Sequence, residues 1–432
     1  MYNILDYGAI GDGVFLNTTA IQLAIDECNQ NGGGTVVIPA GCFLTGTIWL
    51  KSNVELHLSH GALLKASSNM EHYNELDDYP QNFDAPHEGW NGKHLIIALE
   101  QENVAITGNG IIEGCADTAY SGPLVVTNNC YYPEGYYCIE EGAPLRPGLL
   151  ICFVESKHIK VQGITVRKSA CWNLFFHGCD YVQISGVTVL GRKQHCNTDG
   201  LDIDACSFVT VSDCLIDTGD DAIAIRDVPQ YLSDKNKNKK CEYITISNCV
   251  LSNSTCAIRF GVGEGEIHHV SVSNLCIARS GEGFTFQTDY MAQGAVNIHD
   301  ISISNVTGDA VGNPCQVIAT GKAKIKRVTI DGYKTNCAGQ FSFVSPKGLI
   351  EDFVLRNVDI TDTTGCPLYA DIPLNESGLL SFEGARRLIL DNIRIFVKDD
   401  YFDKRSNVFS FSETDISSQN ITLIHKEKQT KL

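Results

Sequence analysis

Val182-Gln183-Ile184-Ser185-Gly186, Val209-Thr210-Val211-Ser212-Asp213, Ile244-Thr245-Ile246-Ser247-Asn248, Val270-Ser271-Val272-Ser273-Asn274 and Ile301-Ser302-Ile303-Ser304-Asn305 repeat one pattern. Each is an apolar-polar-apolar strand closed by Gly, Asn or Asp, residues that tolerate a left-handed turn. Val104-Ala105-Ile106 precedes them, and Val328-Thr329-Ile330-Asp331-Gly332, Phe353-Val354-Leu355-Arg356-Asn357, Leu388-Ile389-Leu390-Asp391-Asn392 and Ile421-Thr422-Leu423 follow. The interval is roughly 23 to 35 residues, and self-similarity at such a period signals a solenoid or a propeller. Propeller blades need about 40 residues and a signature of their own, which is absent. No amphipathic helix separates the units. The pattern therefore predicts an all-β chain, a single-stranded parallel β-helix.

Globular chains of 432 residues divide into two or three domains, but solenoids grow in one dimension. One domain is expected over 1–432, with an N-terminal cap and first coil in 1–50, an inserted aromatic loop at 114–147, and main coils over 150–425 carrying the site. The cap is a short helix from Thr18 to Asn31, with Asn17 or Thr18 as N-cap and Gly32-Gly33-Gly34 ending it. The insertion carries Tyr120, Tyr131, Tyr132, Tyr136 and Tyr137, either a surface on which sugars stack or a self-packed loop.

The net charge of -18 and the lack of a basic stripe argue against nucleic-acid and anionic-membrane partners. The basic run Lys235-Asn236-Lys237-Asn238-Lys239-Lys240 reads as a solvated loop. No stretch of 18 apolar residues spans a bilayer, and Met1-Tyr2-Asn3-Ile4-Leu5-Asp6-Tyr7-Gly8 does not resemble a signal segment, so a cytoplasmic location is expected. Eighteen cysteines show neither CxxC nor zinc spacing, and Cys206, Cys214, Cys249, Cys256 and Cys276 fall at inward-looking positions. They are expected to pack as small apolar residues in a reducing compartment. Nothing here sets an oligomeric state.

Two acidic motifs, Asn197-Thr198-Asp199-Gly200 and Gly219-Asp220-Asp221, stand out from the array. Asp199 and Asp221 are 22 residues apart, about one bare coil, and His177 lies 22 residues earlier, so a column of His177, Asp199 and Asp221 is expected on neighbouring strands roughly 4.8 Å apart. Asp220 and Asp221 are consecutive, so either the strand bends at Gly219 or one carboxylate is buried; a bend is expected. Clustered carboxylates repel, which raises at least one pKa, as a general acid requires, while a second carboxylate activates water. A calcium site and an Asp/Asn turn ladder are the rival readings.

Arg146-Pro147, Trp172, Asn197-Thr198-Asp199-Gly200-Leu201-Asp202-Ile203-Asp204 and Thr218-Gly219-Asp220-Asp221-Ala222-Ile223-Ala224-Ile225-Arg226 resemble glycoside hydrolase family 28, the polygalacturonase family of right-handed, pectin-lyase-like parallel β-helices. Asp6-Tyr7-Gly8-Ala9-Ile10-Gly11-Asp12-Gly13 resembles its N-terminal cap. The resemblance implies an inverting hydrolase without metal or cofactor, in which Asp220 is the acid and Asp199 with Asp221 hold the attacking water. It implies that Asn197 orients the site and that Arg226 takes the place of a lysine near the substrate.

Two departures bear on the substrate. The family's Gly-His-Gly histidine falls at Cys256, and its Arg-Ile-Lys motif, which grips the substrate carboxylate, falls at Thr285-Phe286-Gln287. A neutral amide does not replace a bidentate arginine on a carboxylate. Arg259 is a candidate substitute cation or an outward solvated residue, and His177 either contacts sugar or ends its strand. Trp172 reads as core. Glu264, Glu266, His268 and His269 read as an exposed turn, with a metal site as the alternative. The expectation is an exo-acting, inverting glycoside hydrolase of galacturonide or rhamnogalacturonan fragments, with Asn197, Arg226, His177, Arg259 and Gln287 on the substrate. Its alternatives are a hydrolase of non-uronide oligosaccharides, a polysaccharide lyase and a non-catalytic carbohydrate-binding β-helix.

Overall fold

The computed structural model describes residues 1–75, 91–119, 124–129, 132–139, 146–192, 195–229, 232–234, 238–290, 294–364, 378–398, 401, 405, 407–425 and 428–431. The fold is a parallel β-helix, as the repeats predict. Its chain divides into two compact units: Met1–Thr127 with Tyr137–Asp220 and Pro229–Lys239, and Asn128–Tyr136 with Asp221–Val228 and Lys240–Leu432.

In the first unit, period-2 alternation sends every second side chain inward, and parallel register stacks equivalent residues coil upon coil. Val36, Leu56, Ile106, Val161, Ile184 and Val211 form one such column, at most 1% exposed. Each contributes about 1.5–3 kcal/mol by burial. Phe153 stacks on Phe176 in the same way, with ring centroids 5.1 Å apart. The cap helix spans Thr18–Gln30. Asn17 is its N-cap position, but the Asn17 side chain serves the preceding loop, donating to Phe15 O (2.7 Å) and accepting from Ile10 N–H (2.7 Å). Lys239, at the end of the basic run, is ion-paired with Asp180 at 2.8 Å rather than solvated; Lys235 and Lys237 lie outside the described residues.

In the second unit the inward column runs Ile246, Val272, Ile303, Ile330, Leu355 and Leu390, with Phe260 stacked on Phe286 at 4.6 Å. The turn asparagines form a ladder. Asn248, Asn274 and Asn305 all have positive φ, and their side-chain amides hydrogen-bond in series at 3.1 and 2.7 Å. Cys256 and Cys249 are buried, but Cys276 is exposed, because Leu275 and Ile277 take the inward positions on either side of it. Fifteen of the cysteines among the described residues, Cys249, Cys256 and Cys276 with them, form no disulfide.

The insertion holds a short helix at Ala116–Ala119 and strands Leu124–Asn129 and Tyr132–Ile139. Tyr120 and Tyr131, and the side chains of Tyr132, Tyr136 and Tyr137, lie outside the described residues. No helix among the described residues is long and apolar enough to cross a membrane.

Candidate active site

The first group of site residues lies within the first unit, where the chain leaves strand Thr188–Leu190, makes a long turn, and enters strand Leu201–Asp204. The turn is built around Thr198. Its hydroxyl donates to His195 O at 2.8 Å and accepts from Gly219 N–H at 3.2 Å, while the Thr218 hydroxyl donates to Thr198 O. A Cβ at Gly219 would lie 2.3 Å from Arg192 O and 2.7 Å from His195 O, so only glycine allows the two segments this approach. The backbone bends here, since residues 218–222 belong to no strand.

That approach brings Asp199 and Asp220 together, with one carboxylate oxygen of each within 4.8 Å of the other. Asp220 Oδ2 accepts from Asn197 N–H at 2.7 Å, and Asn197 holds a left-handed φ of 52°. Asp199 is anchored through its carbonyl, which accepts from both the backbone and side-chain N–H of Asn173 at 2.9 Å. Beneath them is the fully buried Arg146, whose guanidinium donates to Asn197 Oδ1 (2.6 Å), Cys196 O (2.9 Å) and Ala170 O (3.0 Å). A planar fork fixes three points of the turn at once. His195 is buried, and desolvation, followed by repulsion from Arg192 and Arg146, lowers its pKa to about 4; it is neutral near pH 7.

The expected column through His177 is corrected by the register. His177 pairs with Asp204, 3.2 Å away, and both side chains are enclosed. Asp199 follows Trp172 instead, because Asn173 N–H binds Asp199 O. The 22-residue count assumed a bare coil, whereas the loop before Leu201 stretches this coil to 27 residues. Trp172 is buried and meets Phe175 edge-on, in a cluster with Ile97, Cys152 and Val154.

The second group lies within the second unit. Asp221 is 5% exposed, so the chain both bends at Gly219 and buries one of the consecutive carboxylates. Its partner is Arg259: Nε donates to Asp221 Oδ2 and Nη2 to Oδ1 at 3.2 Å, while the Thr255 hydroxyl donates to Oδ1 at 3.3 Å. The Tyr290 ring covers the guanidinium at 5.0 Å, within cation–π range. Arg259 pairs in register with Ala224 on one side and Thr285 on the other, and Gln287 lies opposite Gly261 on the same face. Arg226 is buried on strand Ile223–Asp227, beside a bulge where Val262 has a φ of 69°. A β-branched residue in that region is strained, and bulges of this kind redirect a neighbouring side chain.

The Glu264–His269 stretch is more ordered than an exposed turn. Glu264 and Gly265 N–H groups cap Asp227 O, at 3.1 and 3.3 Å. Glu266 binds Lys240 and His299, which pull its pKa down to about 2, and His268 reaches Glu242 at 3.2 Å. Ion pairs account for Glu266 and His268.

The sequence profile of "Glycosyl hydrolases family 28" matches residues 28–236, a span that includes Asn197, Asp199, Asp220, Asp221 and Arg226. Over these residues, about half of its length, the chain is similar to glycosyl hydrolase family 28. Among relatives, it is 30% identical to a probable polygalacturonase of Vitis vinifera over 52% of this chain and 44% of that one. It is 24% identical to an exo-poly-alpha-D-galacturonosidase of Dickeya chrysanthemi over 84% and 62% of the two chains. The chain thus spans less than two thirds of either relative's length. Its fold matches the crystal structure of a hyperthermoactive exopolygalacturonase from Thermotoga maritima, with a TM-score of 0.67, 18% identity, and coverage of 99% and 92%.

The sequence reading gave no role to His195, Thr198, Glu282 or Tyr290. Thr198 sits inside the Asn197–Gly200 motif and His195 two residues before it. Glu282 lies in register with Cys256, at the position where the family motif has histidine, and Thr285 donates to Glu282 Oε2. Tyr290 follows Gln287 by three residues, and only the fold turns it back over Arg259. For Tyr290 the available signal was an aromatic shortly after the departing motif.

Proposed function

We propose that this chain is an exo-acting, inverting glycoside hydrolase that cleaves α-galacturonide bonds in pectin-derived oligosaccharides. The observation that carries the reading is the close approach of Asp199 and Asp220 across a turn that admits only glycine at 219. In this proposal Asp220 protonates the leaving oxygen, and Asp199 with Asp221 orient and deprotonate the attacking water. Asn197 holds Asp220 through its backbone N–H, and Arg226 and Gln287 line the substrate side. His177 serves Asp204 rather than sugar. The oxygen approach is shorter than the ~6.5–9.5 Å usual between inverting carboxyl groups and also falls below the ~5–5.5 Å of retaining ones, so inversion rests on the family resemblance. Carboxylates so placed would also hold a cation; the proposed chemistry uses none.

A second reading takes rhamnogalacturonan fragments or a neutral sugar as substrate. It is favoured by Thr285 and Gln287 at the carboxylate-binding motif, and by the commitment of Arg259 to Asp221. Cysteines that pack as small apolar residues, such as the buried Cys249 and Cys256, favour a reducing compartment. The test is turnover of galacturonan and rhamnogalacturonan oligomers, with products separated by size. Monomer release from one chain end by the parent, and its loss in Asp220→Asn, is expected. Full activity in Asp220→Asn removes the proposed acid, and an ultraviolet-absorbing product identifies a lyase.

A further inference from the structure

We infer that Arg259 is a positioning residue for Asp221, clamped between Asp221 and the Tyr290 ring, and is not a receptor for the substrate's carboxylate. The inference deepens the hydrolase reading above and rests on it for the role of Asp221. Three observations carry it. Both oxygens of Asp221 are taken by one guanidinium, through Nε and Nη2, and the side chains are only 7% and 15% exposed. One face of that guanidinium is closed by Tyr290. On the adjacent strand Glu282 supplies a second carboxylate, fixed by the Thr285 hydroxyl, and Thr285 is the residue in register with Arg259.

The charges agree with the geometry. Asp221, Cys256 and Glu282 are the titratable groups that act on Arg259. Burial would lower the Arg259 pKa, but Asp221 and then the other two hold it well above the ordinary value, so it stays charged. Burial pushes the Glu282 carboxyl up, with Arg259 and Thr285 opposing. The Cys256 thiol is also pushed up, by burial first and by Asp221 second, and stays neutral. The position of the family histidine therefore offers Asp221 no cation, and Arg259 provides a permanent one. A guanidinium whose Nε and Nη2 are both spent on Asp221 has little left for a uronate.

The experiment pairs a carboxyl titration with kinetics. In protein carrying 13C-labelled aspartate carboxyls, the Asp221 resonance is assigned by its loss in Asp221→Asn and followed with pH in the parent, Arg259→Gln and Arg259→Lys. An adjacent arginine lowers an aspartate by about 1–3 pH units, so Arg259→Gln raises the Asp221 midpoint by that amount, and Arg259→Lys returns most of it. On trigalacturonate, kcat falls at least tenfold in Arg259→Gln while KM stays within about threefold, since the contact is not made to substrate. An unmoved Asp221 midpoint overturns the inference. So does a KM that rises for trigalacturonate but not for a carboxyl-reduced trisaccharide. If the parent turns over neither sugar, the hydrolase reading fails, and the titration still reports on the pairing. Should Arg259→Gln not fold, Arg259→Lys decides: retained midpoint with reduced kcat supports the clamp, and a midpoint raised by a full unit or unchanged kcat overturns it.

Discussion

Gly219→Ala tests whether the turn that joins Asp199 to Asp220 depends on a missing side chain. The new methyl group would lie 2.3 Å from Arg192 O, 2.7 Å from His195 O and 2.8 Å from Thr198 Oγ1. Two of these are backbone atoms, so no rotamer change relieves the contact. Reaching an ordinary 3.4 Å requires Arg192 O and His195 O to recede by about 1 Å. Overpacking of this kind costs about 1–3 kcal/mol. The Gly219 N–H to Thr198 Oγ1 bond, at 3.2 Å, is lost with it, for a further ~0.5–1.5 kcal/mol. Together these give about 2–4 kcal/mol, measured by equilibrium urea unfolding. The same displacement moves the Asn197 N–H that holds Asp220. A misplacement of about 1 Å costs about 10²-fold in rate, so kcat should fall by that factor. Stability within about 0.5 kcal/mol of the parent, the range of an ordinary surface substitution, together with unchanged kcat, would refute the argument.

Arg146→Met removes three hydrogen bonds, to Ala170 O in the interior and to the part-buried Cys196 O and Asn197 Oδ1. At the lower end of ~1–3 kcal/mol per group this destabilises the protein by about 3 kcal/mol in urea unfolding, and kcat falls because the Asn197 turn loosens. His94 is fully buried, and desolvation lowers its pKa to about 3, so the unfolded chain takes up its proton first. Its contribution is therefore complete above pH 6.5 and is lost as pH falls toward 3, by about 1.4 kcal/mol per pH unit. His94→Asn should flatten that part of the stability profile, and an unchanged slope would contradict the assignment. Treatment with EDTA should leave turnover unchanged; activity lost to chelator and restored by calcium would favour the cation reading of the acidic cluster.

The strands were legible because inward β-branched residues alternate with polar ones, and their stacking follows from register alone. The asparagine corners were legible too, since Asn248, Asn274 and Asn305 tolerate positive φ. The other left-handed corners were not: Tyr181, Phe208 and Tyr243 hold φ of 56–59°, and nothing in an aromatic side chain announces it. In the first unit these rings stack instead, Tyr181 on Phe208 at 5.0 Å. The acids were legible from their motifs, but the His177 column failed because coil length varies with each loop. The Asp221–Arg259 pair joins residues 38 positions apart and depends on which strands become neighbours, which spacing within one repeat does not encode.

The central claim is that Asp220 and its neighbours cleave a glycosidic bond in a single displacement. Proton NMR of the first sugar released from a galacturonan oligomer, recorded before mutarotation, tests it most directly. The account predicts the β-anomer from an α bond in the parent protein and no release in Asp220→Asn. Release of the α-anomer would contradict it.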